Sequence, residues 1–271
     1  MMLRLAFFFA ILTSCWTVGS ALKARAPTRG WVVNFDDAQC IAFREYGSAE
    51  QPIQLILKAP AVGGVVQVAV ARKGSSVDAG QMKGTLAIDQ RDPTQISMLA
   101  YSPPRSGLRV HMTNLTEAEF GLVRQAKEIA FLADGLDERF SLSGMAPMLK
   151  AVDDCTADLR RVFNIIDKQA GETSTLSRRA KANIGRLFTG KDYPRHALER
   201  WQDGRVKFAL LIDEKGKVAD CSVIETSGVA VLDAQSCAVL KERARFQPAL
   251  GADGKPAKDA VTAAINWAVS W

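Results

Sequence analysis

Five cysteines and two histidines hold most of the reactive chemistry open to this 271-residue chain. The cysteines stand at Cys15, Cys40, Cys155, Cys221 and Cys237, the histidines at His111 and His196. No CxxC pair occurs and neither histidine lies near a cysteine cluster, so the spacing of a zinc site is missing and no metal is expected. A Ser-His-Asp arrangement would have to use one of these two imidazoles, and no GxSxG elbow accompanies them. His196, directly after Tyr193, Pro194 and Arg195, reads as an ordinary surface histidine. The carboxylates Asp153, Asp154 and Asp158 lie on or beside a helical stretch, where solvated charge is the usual state. Gly185 to Lys191, GRLFTGK, reproduces the start of a phosphate-binding loop, but Asp192 follows where Ser or Thr would hold magnesium, and no buried strand precedes it. Catalysis and a cofactor are therefore not expected. The formal charge of +6 is modest and the basic stretches carry no interleaved aromatics, so nucleic acid is not expected either.

The cysteines point to disulfides, and the N-terminus explains how they would be oxidised. MMLRLAFFFAILTSCWTVGSA has one basic residue, Arg4, an apolar core from Leu5 to Leu12, and small residues at Gly19, Ser20 and Ala21, so residues 1–21 read as an export signal. Two other fates fit the same residues. Leu12, Thr13, Ser14 and Cys15 resemble a bacterial lipoprotein box, although the bulky Trp16 departs from it, and Leu5 to Leu22 approaches the roughly 20 residues of a membrane span. Cleavage would leave Cys40, Cys155, Cys221 and Cys237, an even number in an oxidising compartment. Four cysteines permit three connectivities. The organisation of the chain favours Cys40 with Cys155 and Cys221 with Cys237.

That organisation is α+β in two small domains. From Gly30 to Ile166, IQLILKA, VVQVAVA, GTLAIDQ and LRVHMTN are short apolar or alternating runs separated by Pro and Gly, as strands are. LTEAEFGLVRQAKEIAFLA has helical spacing and predicts a helix opening at Thr113, Asn114 or Thr116. FSLSGM predicts a last strand, and MAPMLKAVDDCTADLRRVFNI an amphipathic helix with Met148, Leu149, Val152, Cys155 and Leu159 on one face. Residues 167–186 are polar and without strong periodicity, a linker carrying the basic residues Arg178, Arg179, Lys181 and Arg186.

Residues 187–271 form the second domain. DGRVKFALLIDEKGKVADCSVIETSG predicts a hairpin: Val206, Phe208, Leu210 and Ile212 share one face, and Gly216 is free to take a positive φ in the turn. VLDAQSCAVLKERA predicts a helix that brings Cys237 toward Cys221. Val261, Ala263, Ile265 and Trp267 then alternate with Thr262, Ala264 and Asn266, the clearest strand in the sequence.

Hairpin, helix and strand in this order, behind Tyr193 and Pro194, resemble the C-terminal domain of the TonB energy transducers. The matching pieces are YPRHAL, GRVKFALLIDEKGKV, the SG after the second strand, LDAQSCAVL, FQPA, GKP and the closing strand through Asn266 and Trp267. The resemblance covers about a third of the chain. It implies a periplasmic domain that pairs with a short segment of an outer-membrane receptor along the last strand, here Val261, Thr262, Ala263, Ala264, Ile265, Asn266 and Trp267, by β-strand addition. It also makes the Asn114-Leu115-Thr116 sequon accidental. Two features depart from the family: the N-terminal apolar segment looks cleavable, and a compact domain stands where a long Pro-rich spacer would be expected. Contact with the inner-membrane motor proteins would require the N-terminus to be retained. An exported or lipid-anchored accessory with no direct energy transduction is the alternative.

Overall fold

The computed structural model describes residues 23–167 and 171–269. Residues 1–21, read from the sequence as an export signal with Cys15, and Trp271 at the end of the closing run, lie outside them. The first half is built from nine strands: β1 (Val32–Asp36), β2 (Gln39–Gly47), β3 (Pro52–Ala59), β4 (Val66–Lys73), β5 (Gly80–Ile88), β6 (Thr94–Tyr101), β7 (Leu108–Leu115), β8 (Glu128–Ala133) and β9 (Leu136–Ser141). They form one antiparallel sheet in the order β1-β2-β3-β4-β7-β6-β5-β8-β9. The sheet curls until its far edge returns: Arg25 pairs with Phe140 on β9 and Pro27 with Tyr46 on β2. The alternation read in the sequence is what fills the interior. Tyr46, Leu55, Val68, Val70, Leu115, Ile129, Phe131 and Phe140 all point into one core, each nearly inaccessible, and burial of that kind contributes about 1.5–3 kcal/mol per side chain.

Two helices close this unit, α1 (Glu117–Val123) and α2 (Met145–Val162). The sequence pattern predicts a single helix over 115–133, and that expectation fails in its second half. Thr116 starts α1 through a capping box with Glu119, but the helix stops after two turns and Glu128–Ala133 is β8, a strand between β5 and β9. The side chain of Asp89 accepts from the backbone N–H groups of Lys127 and Glu128 at 2.8 and 3.0 Å, pulling the chain out of the helix. Ile129 and Phe131 satisfy a two-residue period as well as a helical one, and sheet pairing decides between them. The helix α2 follows the expectation: Met148, Leu149, Val152, Cys155 and Leu159 are buried, joined by Met145 at its start. Cys155 is disulfide-bonded to Cys40 on β2, with Cα atoms 6.0 Å apart.

The second half contains β10 (Leu176–Arg178), α3 (Arg195–Leu198), β11 (Gly204–Ile212), β12 (Val218–Glu225), α4 (Ala230–Arg243), β13 (Ala249–Gly251), β14 (Pro256–Ala257) and β15 (Asp259–Trp267). The hairpin β11-β12 and the final strand make a three-stranded sheet in the order β12-β11-β15. Gly216 sits in the turn at φ 76°, where an added Cβ would overlap the Phe246 carbonyl, so only glycine fits. α4 packs on one face of the sheet, and Cys237 on it is disulfide-bonded to Cys221 on β12, Cα atoms 5.5 Å apart. Part of the stretch read as a linker is knitted into this unit: β10 pairs with β13, and Lys181 with Gln247.

The two halves are packed together. Lys58 on β3 reaches the buried Asp220 on β12 at 2.6 Å. Leu211 and Ala260, on the face of the small sheet away from α4, join Cys40, Cys155, Leu159 and Phe163 in one cluster. Gly64, at φ 107°, lies against Ile224 so closely that an added Cβ would meet its Cα at 2.6 Å. The outer face of β11 is therefore core as well.

Candidate functional site

Strand β15 pairs with β11 along its whole length, from Asp259 opposite Ile212 to Trp267 opposite Gly204, without a register shift. Among the described residues it pairs with no strand on its other side. In an antiparallel ladder successive residues send their backbone groups alternately to one neighbour and away from it. Two bonds fix which residues face away. The C=O of Ala260 accepts from the Arg179 guanidinium at 2.7 Å, and its N–H donates to the Asp259 carboxylate at 2.7 Å, so Ala260 is turned from β11. By alternation Thr262, Ala264 and Asn266 present their N–H and C=O groups at the open edge, while Val261, Ala263 and Ile265 bond to β11. An extended peptide laid there would find three donors and three acceptors at the strand spacing.

The side chains divide the same way. Val261, Ala263, Ile265 and Trp267 pack against the hydrophobic cluster under α4. Thr262 and Asn266 are exposed and Ala264 half-buried. Trp267 anchors the end of the strand: it is 6% exposed, its indole N–H donates to Ser236 Oγ at 2.9 Å, and its ring meets Tyr193 and Phe188 edge-on at 5.2 and 5.6 Å. Tyr193 in turn donates its hydroxyl to the C=O of Gln202 at 2.6 Å, and Pro194 at φ −61° is the N-cap of α3. This pair braces the strand from within.

Sequence reasoning missed what bounds the open edge. Asp259 is fully buried and holds Arg179 and the Ala180 N–H, at 2.7 to 2.9 Å, so that Arg179 lies across the start of β15. An acid immediately ahead of an alternating apolar run was the available signal. The free stretch thus begins beyond Ala260.

The other sequence motifs resolve into structural roles. In the phosphate-loop look-alike, Asp192 is 5% exposed and accepts both terminal nitrogens of Arg243 at 2.7 and 2.8 Å, with the Thr189 N–H at 2.8 Å. The Arg243 hydrogen bonds and then the Thr189 N–H hold its carboxyl well below the usual carboxylate range. His111 is buried inside the curled sheet; burial, aided by Arg72 and Arg109, lowers its pKa to about 4. His196 is lowered by burial too, and lies far along the chain from both disulfides. Asp153 and Asp154 pair with Arg124 and Lys150 at 2.8 and 2.6 Å, and Asp158 pairs with Arg161. Among the described residues no group of His, Cys, Asp and Glu could hold a metal ion. Asn114 of the sequon is half-buried, its amide donating to Asp233, and Thr116 is the cap of α1.

Residues 189–269 match the family model of the Gram-negative bacterial TonB protein C-terminal domain. This stretch is a TonB-family C-terminal domain. The match begins just before Tyr193 and Pro194 and ends just after Trp267, so it takes in the hairpin, α4 and the open-edged β15. No curated protein matches the chain. The TonB-type domain belongs to the bacterial envelope, and no helix among the described residues is long and apolar enough to cross a membrane.

Proposed function

We propose that this chain is an exported envelope protein that recognises a receptor of the outer membrane by β-strand addition to β15, acting in the periplasm in energy-dependent transport across that membrane. The open edge carries the reading: Thr262, Ala264 and Asn266 turn their backbone groups outward on a strand whose other side is fully paired. The partner is an extended segment of the receptor. Backbone pairing supplies attachment, and selectivity comes from the exposed side chains of Thr262 and Asn266. The protein acts by recognition rather than catalysis. Its organisation is a mixed α+β domain over residues 30–166, a basic joining segment over 167–186 and the TonB-type domain over 187–271.

A photo-reactive amino acid at Asn266, activated in native envelopes, tests this directly. Cross-links should form to the periplasmic-facing extended segment of an outer-membrane receptor and vanish when Ala264→Pro removes the central donor. Cross-links that persist unchanged in a folded Ala264→Pro protein would sink the docking site.

A second reading, an accessory that docks without transmitting energy itself, draws on one observation. The segment ahead of the TonB-type domain is folded against it, through Lys58–Asp220 and the Gly64–Ile224 contact, rather than extended as a spacer. The intact mass of the protein from native envelopes separates the two. A retained Leu5–Leu22 supports a transducer touching the inner-membrane motor, and a chain starting near Ala21 or lipidated at Cys15 supports the accessory.

A further inference from the structure

An unassigned cleft of about 670 Å³ lies between the outer face of β6 and β7 and the β12-α4 face of the TonB-type domain. Its walls are apolar: Leu99, Tyr101 and Met112 on one side, Val223, Val231 and Ala234 on the other. Volumes of about 300–1,000 Å³ at domain boundaries, apolar with a few converging polar groups, are where small molecules bind. The polar groups here are specific. Asn114 lines the cleft and donates its amide nitrogen to Asp233 at 3.4 Å. The carboxylate neighbour fixes that orientation, because the amide oxygen would repel it. Asn114 Oδ1 is buried without a hydrogen-bond partner and closed to solvent, so it offers the cleft no acceptor.

Charge narrows the ligand further. Asp233 is 2% exposed, and its partners are the neutral donors of Asn114, Thr226 and Ser227. Glu119 also lines the cleft, and Lys241, the one cation on its wall among the described residues, lies 3.9 Å from Asp220. An anion entering would meet two carboxylates. We propose that this cleft binds a small, largely apolar molecule, neutral or cationic.

N-phenyl-1-naphthylamine, a neutral fluorescent arylamine with a single N–H, is a suitable probe for the full-length protein. Saturable one-to-one binding is expected, weakened at least tenfold by Ala234→Trp, which fills the cleft. Ala238→Trp, at an exposed rim position, is the second obstructing variant and leaves the α4 core untouched. The anionic anilinonaphthalene sulfonate should bind at least tenfold more weakly than the neutral amine. Absence of saturable binding to the folded protein, or equal affinity in both Trp variants, overturns the site. Equal affinity for the two dyes overturns the charge selectivity.

Discussion

Adjacent alanines in β15 should respond oppositely to proline. Ala263 pairs with Phe208 in the ladder to β11, whereas Ala264 turns its N–H to the open edge. Proline at 263 removes one ladder bond, a net loss of about 1 kcal/mol, and strands the C=O of Phe208, a further 1–3 kcal/mol or so for a buried acceptor. Phe208 is 0% exposed, so water cannot replace the lost donor. The sum is about 3 kcal/mol, a fall in Tm of roughly 6–12 °C for a protein of this size. Proline at 264 breaks no internal bond, and an edge position tolerates it, so its cost should stay within about 1 kcal/mol. Thermal unfolding with the disulfides intact reads both. Equal losses for the two variants, or a larger loss at 264, would show that the alternation inferred from Ala260 is wrong and that the edge is not open as described.

Three further outcomes follow from the geometry. Replacing Cys221 and Cys237 together by Ser should cost about 3 kcal/mol, the entropy of closing a loop spanning 16 residues, read by urea unfolding of the double variant against the parent. Asp192 has a folded-state pKa below its unfolded value, so its contribution is fully present at neutral pH and is lost as pH falls through the folded value; Asp192→Asn should therefore be less stable than the parent at pH 7, and the gap should narrow below about pH 4 in a pH series of melting curves. His111 is also lowered, to about 4, chiefly by burial, so protonation favours the unfolded chain and stability drops as pH falls from its ordinary value toward 4. His111→Leu should flatten that part of the stability profile; a profile of unchanged slope would show that another group causes it.

The closing strand was legible because one face of β15 is core and the other is not, which imprints a two-residue period from Val261 to Trp267. Both disulfides were legible for the same reason: Cys155 sits on the apolar face of α2, and Cys237 on a helix that had to return over β12. The second half of the supposed 115–133 helix was not, since Ile129 and Phe131 fit either period and the choice rests on pairing with β5 and β9 and on Asp89, 38 residues before Lys127. Leu176–Arg178 carried no pattern at all; a strand of three residues depends on β13 to exist. The cleft was invisible in principle, because Asn114 and Asp233 meet across 119 positions of sequence.

The closure of the curled sheet has a consequence for when the protein can fold. Arg25 pairs with Phe140, and Cys40 is joined to Cys155, so the earliest-made residues wait for partners more than a hundred positions later. Until the chain extends through Phe140 and Cys155, the segment around Arg25 and the Cys40 thiol lack their partners, the kind of non-local arrangement that folds slowly and leaves the closing seam of the sheet open meanwhile. The hairpin β11-β12 needs no such delay, because its strands are neighbours in sequence. The docking surface that receives Asp220 and Ile224 is part of the slow unit. Assembly is therefore staged: neighbouring strands of either half, β2 with β3 as well as β11 with β12, can pair as soon as they are made, whereas the seam at Arg25 and the Cys40–Cys155 disulfide close only later, and a chaperone would find its work at that open seam.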